Sequence, residues 1–313
     1  MSSLGQPDRS LGEGRPPARG WAVAAAALAL AAAPMAAHAD AAATFYERAV
    51  MAAAGDRCGL FSPELASALA AAKAQAHGAA LRAGASGASL DETEQRARAR
   101  AGAVACNSPD IATAAARVRS AFAGYSQLQK MSYPGDTADW TAVRGSPRRY
   151  AIWKLSQATR FGWNSAVFGL AGRDGPSVLL VVANFPDNAQ PFTARLVLRD
   201  RSLAPEPFLN HIQANAAGTL PLSARMPPRG ATTAVLAEAR SGADGLLLPA
   251  GARTGVAFRF PKSAADSLAG LDPREAVAID FVFAGANGDQ VRTAYFEVGD
   301  FAAGRAFLAV AQR

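Results

Sequence analysis

Residues 276–298 read AVAIDFVFAGANGDQVRTAYFEV, and this stretch decides the fold. Side chains alternate along an extended chain, so Val277, Ile279, Phe281 and Phe283 share one face while Ala278, Asp280 and Val282 take the other. Asn287-Gly288 tolerates the left-handed backbone of a tight turn, and a second extended run follows at 291–298. An antiparallel hairpin is expected.

Working outward from it, the same two-residue period places strands near 149–157, 163–171, 177–184, 192–200, 231–240, 246–249 and 254–260. Asp174-Gly175 and Asp244-Gly245 mark turns between them. The run Val178 to Ala183 lacks alternation, which predicts a central strand covered on both faces. Strands in this number without regular intervening helices favour an antiparallel sandwich or barrel over a doubly wound sheet. A short helix at 262–270 and a terminal helix capped by Asp300 should pack on it.

Upstream of residue 131 the period is helical. Ser62-Pro63-Glu64 and Ser108-Pro109-Asp110 each combine a capping hydroxyl, a proline suited to the first helical turn and an acid favoured at the positive helix end. Ser89 with Glu92 has the spacing of a capping box. Helices are expected at 41–54, 63–83, 90–105 and 109–130, with Gly55 and Gly84 stopping the first two. Cys58 and Cys106 then lie in turns just before new helices. In an up-down-up-down arrangement those turns meet at one end, so the two cysteines should form a disulfide. Pro134-Gly135 begins a turn-rich stretch ending in Gly145-Ser146-Pro147. The expected fold class is α+β: an antiparallel helical bundle at 40–130, a linker at 131–147, and a mainly antiparallel β-sandwich or barrel with short helices at 148–313.

The first 39 residues have the parts of an export signal. Arg9, Arg15 and Arg19 precede an apolar run from Trp21 to Ala37, and Ala37-His38-Ala39 places small residues before Asp40. Cleavage is expected after Ala39. A membrane anchor is the competing possibility, but the run is mostly alanine, which partitions weakly, and Pro34 interrupts it. The expected location is periplasmic or secreted, without a transmembrane helix once the signal is removed. Residues 40–313 carry a formal net charge of +6, all of it in residues 140–313. Arginines are scattered among acids, and the densest group, Arg144, Arg148 and Arg149, falls in the expected linker.

Motifs for chemistry are scarce. The sequence lacks GxSxG, a P-loop, HExxH and an EF-hand loop. Two cysteines without CxxC spacing, joined in residues 40–313 only by His77 and His211, do not make a structural zinc site, so no metal and no cofactor is expected. Export and the absence of an aromatic-basic motif argue against nucleic acid. His77, among alanines on a helix, reads as a partly exposed polar position, and Asp187, Asp200 and Glu206 as solvated turn carboxylates. No motif carries a resemblance close enough to name a family.

Residues 201–230 form a long connection within an otherwise tight β region, and loops of this length are commonly functional. Asn210, His211, Gln213, Asn215, Arg225 and Arg229 are the candidate ligand-binding residues, able to hydrogen-bond a sugar or an anionic group, with Phe208 as an apolar platform. The same segment could instead be a covering loop that shields a sheet edge. Trp153 and Trp163, on expected strands, read as core, and Trp140 as a contact between domains; stacking on a glycan is the alternative for these aromatics. The expected function is a non-catalytic binding, adaptor or envelope-associated protein whose partner is an envelope protein or a glycan. The alternative is a small periplasmic hydrolase or glycan-active enzyme with a carboxylate pair in the β region.

Overall fold

The computed structural model describes residues 22–144, 150–173, 176–211, 218–243 and 245–310. The protein is a mixed α+β molecule. Six helices, α1 (Ala22–Cys58), α2 (Pro63–Arg82), α3 (Gly87–Ala103), α4 (Pro109–Ser126), α5 (Lys262–Ala269) and α6 (Phe301–Ala309), accompany eleven strands among the described residues. The strands are β1 (Lys130–Tyr133), β2 (Trp140–Val143), β3 (Ile152–Phe161), β4 (Asn164–Gly172), β5 (Val178–Asn184), β6 (Thr193–Arg199), β7 (Thr232–Leu236), β8 (Ala239–Gly242), β9 (Val256–Arg259), β10 (Ala276–Phe283) and β11 (Gln290–Glu297). Residues His38–Arg313 form one compact unit. Among the described residues, no helix is long and apolar enough to cross a membrane.

All strand pairs are antiparallel, in a seven-stranded sheet ordered β1-β2-β3-β4-β5-β9-β8 and a four-stranded sheet ordered β11-β10-β6-β7. The sheets are not closed into a barrel, which corrects that half of the expectation: each ends in strands with one neighbour. The expected hairpin is present as β10–β11, with Phe283 opposite Gln290 and Gly288 at φ +113° in the turn. Phe168 of β4 meets Phe296 of β11 at 5.1 Å between ring centroids, and Phe258 of β9 meets Phe281 of β10 at 6.0 Å, so one core joins the two sheets. β5 is covered on both faces. Leu179, Val181 and Ala183 enter that core, while Leu180 and Val182 pack beneath Leu247 and Ala257.

Several expected boundaries move. The stretch expected to be linker, 131–147, supplies β1 and β2, because Tyr133 and Trp140 are buried anchors and pair directly. The run expected as one strand at 231–240 divides between the sheets: Ala237 donates its amide to Ala194 of β6, and Glu238 donates to Arg259 of β9. No strand forms at 246–249, where Leu247 turns inward to cover β5. The turn pairs Asp174-Gly175 and the residue Asp244 lie outside the described residues.

In the helical part, Ser62 and Ser108 accept the amides of Leu65 and Ile111 as N-caps, as the Ser-Pro-acid runs predict. For α3 the cap is Ser86, not Ser89, whose hydroxyl donates to the Ser86 carbonyl instead. α1 runs through Gly55 and stops at Gly59, which holds the left-handed φ of +62° that a helix end requires. Cys58 and Cys106 form the expected disulfide, with Cα atoms 5.6 Å apart. Beside it Arg57 donates to the carbonyls of Gly102 and Val104, fixing the end of α1 to the end of α3.

α2 packs against α6. Gly78 permits the contact, since a Cβ there would lie 2.1 Å from Asp300 Oδ1. Asp300 occupies the N-cap position of α6 but makes no side-chain cap bond, because Arg82 holds both its oxygens at 2.8 Å. Arg144, expected in a linker, is buried. It donates to the carbonyls of Phe307, Tyr125 and Leu128 and lies 3.6 Å from the Phe307 ring centroid, tying the C-terminal end of α4 to that of α6.

Candidate functional site

The outer face of the four-stranded sheet carries a groove of about 360 Å³, within the range of small-ligand sites. Cross-strand rows build its floor. Arg195, Asp280 and Thr293 face one another on β6, β10 and β11, and Val197, Ala278 and Tyr295 form the next row. The strand period forces this, because Val277, Ile279 and Phe281 point into the core and their neighbours must point out. The roof comes from the 201–230 connection, which contributes Ser223, Met226, Pro227 and Arg229.

Within the groove Arg195 Nε donates to Asp280 Oδ2 at 3.1 Å, and the Thr293 hydroxyl donates to Asp280 Oδ1 at 2.6 Å. The Asp280 carboxylate is therefore engaged from two sides. Arg229 is exposed at the rim, and its guanidinium makes no ion pair among the described residues. The charged lining of two arginines against one aspartate is net positive, and the Ser223 and Tyr295 hydroxyls flank it. Such a site suits a small anion with hydrogen-bonding groups.

The other candidate residues lie elsewhere. Phe208–His211 forms a 3-10 turn, while the side chains of Asn210 and His211, together with Gln213 and Asn215, lie outside the described residues. Arg225 points the opposite way from Arg229 and is wholly buried. It donates to the carbonyls of Leu220 (3.0 Å) and Gly218 (2.9 Å), to Asp136 Oδ2 (3.2 Å) and to Thr137 Oγ1 (3.1 Å), with Glu297 Oε1 at 3.6 Å.

Glu297 in turn accepts the amides of Asp136, Thr137 and Ala138 at 2.8, 2.8 and 3.1 Å. Gln157 completes this clasp, accepting the Glu297 amide and donating to the Ala138 carbonyl. Asp136 and Glu297 are thus two carboxylates brought near each other, but Arg225 and three backbone amides occupy them. They hold the 134–139 turn and the 218–225 segment to the end of β11. Both Glu297 oxygens are taken by backbone amides and its side chain is fully buried, whereas Asp136 is bonded to Arg225 through Oδ2 and stays partly accessible.

Trp153 is structural, its indole donating to the Leu247 carbonyl at 3.1 Å. Trp140 is fully buried, donates to the carbonyls of Glu297 and Val298, and packs 5.1 Å from Phe301. Trp163 corrects the expectation of a core position: it is 94 % exposed. Phe161 pairs with Asn164, leaving Gly162-Trp163 as a two-residue hairpin turn with Gly162 at φ +60°. Glycine at the first of two turn positions was the signal in the sequence, since that φ suits glycine and matches the strand twist. His77 is partly buried with its ring 5.2 Å from Phe45, and Asp187 pairs with Arg292 across 105 residues.

No protein-family model, no curated protein and no solved structure matches this chain.

Proposed function

We propose that the protein is an exported, non-catalytic binding protein of the cell envelope whose ligand is a small anion seated in the groove on the four-stranded sheet. In this reading residues 1–39 are a cleaved signal, the mature chain begins at Asp40 in the periplasm, helices at 40–130 form a bundle, and the two sheets form a sandwich behind it. The observation that carries the reading is the groove itself. A rigid floor of two cross-strand rows faces a roof supplied by the long connection, and Arg229 at its rim has no ion pair among the described residues. The clasp supports the non-catalytic part, because Glu297 is buried with both oxygens bonded to backbone amides and Asp136 is tied to Arg225 of the roof segment.

Native mass spectrometry of the protein isolated from its own periplasmic fraction tests the reading. A small-molecule adduct on the wild type that is lost in Arg229→Glu is the expected result. N-terminal sequencing of the same sample should start at Asp40. A stoichiometric protein partner captured by in-cell crosslinking, with no adduct and no effect of Arg229→Glu, would replace the small ligand with an adaptor role.

A further inference from the structure

The turn between β3 and β4 displays an aromatic ring that the fold does not use. Trp163 is 94 % exposed at its tip, so the indole gains almost nothing from burial and both its faces are open to a ligand. The ring borders a concavity of about 670 Å³ lined by Gly162, Trp163, Asn164, Pro186, Asp187 and Arg292. The far wall is built on an ion pair. Arg292 Nη2 donates to Asp187 Oδ2 at 2.7 Å, Asp187 Oδ1 accepts the Ala189 amide at 3.2 Å, and the guanidinium lies 4.7 Å from the Phe283 ring centroid. Beneath both walls, Phe161 and Phe185 pack on Phe281 with centroids 5.7 and 5.3 Å away, so the two loops share one aromatic footing.

We propose that this concavity is a second binding site, for a neutral pyranose unit of a glycan. An indole is flat and polarisable, and the axial C–H groups of a pyranose present a matching apolar face. The hydroxyls at the ring edge are both donors and acceptors. Asp187 can accept from one and Arg292 can donate to its neighbour, and the pair stays partly exposed, with side chains 52 % and 35 % accessible. Charge selects among occupants. Asp187 and Arg292 cancel, so the wall has no net attraction for an anion or an acidic lipid surface, which surface clusters of unpaired Lys and Arg would provide. The site is independent of the groove on the four-stranded sheet, with which it shares no lining residue.

The experiment is a titration of the purified protein with three neutral oligosaccharides, N-acetylglucosamine, β-glucose and α-glucose tetramers, followed by the indole N–H resonance of Trp163. Loss of that signal in Trp163→Phe assigns it. Saturable shifts with millimolar affinity for at least one oligomer are expected, and which one separates a cell-wall source from a storage or exopolysaccharide source. Trp163→Ala should weaken that binding by roughly tenfold or more without changing the melting temperature, and Asp187→Asn by less. Arg229→Glu should leave it intact, so failure here and failure of the anion groove are read apart. No shift with any oligomer, or equal binding by Trp163→Ala, overturns the proposal. So does loss of sedimentation with phosphatidylglycerol vesicles in Trp163→Ala when no sugar binds, which would make the tip a membrane contact.

Discussion

The two ends of β11 use the same three kinds of side chain and do opposite things with them. At its C-terminal end a tryptophan, an arginine and a carboxylate, Trp140, Arg225 and Glu297, are all excluded from water. Near its N-terminal end Arg292 pairs with Asp187 beside Trp163, and all three reach solvent. Residue type therefore does not separate a structural clasp from a recognition surface. Exclusion of water does, because a desolvated charge must be paired to exist at all, whereas an exposed pair remains free to exchange its partner for a ligand.

The comparison breaks most easily at the buried end. Arg225→Ala removes the buried cation bonded to Asp136 and beside Glu297 and should cost about 3–5 kcal/mol of stability in urea denaturation, the penalty for half of a buried pair. A loss no larger than that of a surface substitution would show that the clasp is not excluded from water as described. The helical part gives an independent scale. Replacing Cys58 and Cys106 with alanine opens a loop with 48 residues of sequence separation, and chain-entropy reasoning expects a loss of about 4 kcal/mol or less. Equal melting temperatures with and without reductant would contradict that.

At the exposed end the expected effects on stability are small. Arg292→Ala should cost about 1 kcal/mol or less, and Trp163→Ala should stay within about 0.5 kcal/mol of the wild type by the same denaturation curves. A large loss from Trp163→Ala would mean that the ring is part of the core and would end its role in recognition. The smallest effect is in pH. Among the described side chains the only imidazole is His77, and burial lowers its pKa below the ordinary 6.5, opposed by the nearby acids Asp272, Asp91 and Glu94. The unfolded chain then binds the proton more readily than the folded one, so stability is full above the unfolded value and declines as pH falls below it. His77→Gln should flatten that decline in pH-dependent thermal melts.

Legibility from the sequence followed the distance over which each decision is made. Ser62, Ser108 and the Asn287-Gly288 turn were readable because a cap or a turn is settled by residues three or four apart. The cysteine pairing was readable because helix order brings two turns to one end. Arg225 and Arg229, four residues apart and equally polar, were not separable. One faces Asp136, 89 residues away, and the other faces solvent. Trp163 looked like the first residue of an alternating strand, although Gly162 before it already carried the turn.

By itself, then, the sequence determined the α+β class, the disulfide, the β10–β11 hairpin and most helix starts, since local backbone sterics and side-chain period suffice for these. Only the tertiary structure decided that 231–240 splits between two sheets, that Lys130–Tyr133 and Trp140–Val143 pair as strands, and which Trp–Arg–acid trio is dry. Those outcomes depend on which distant segment removes water from a given side chain, and no local pattern records that.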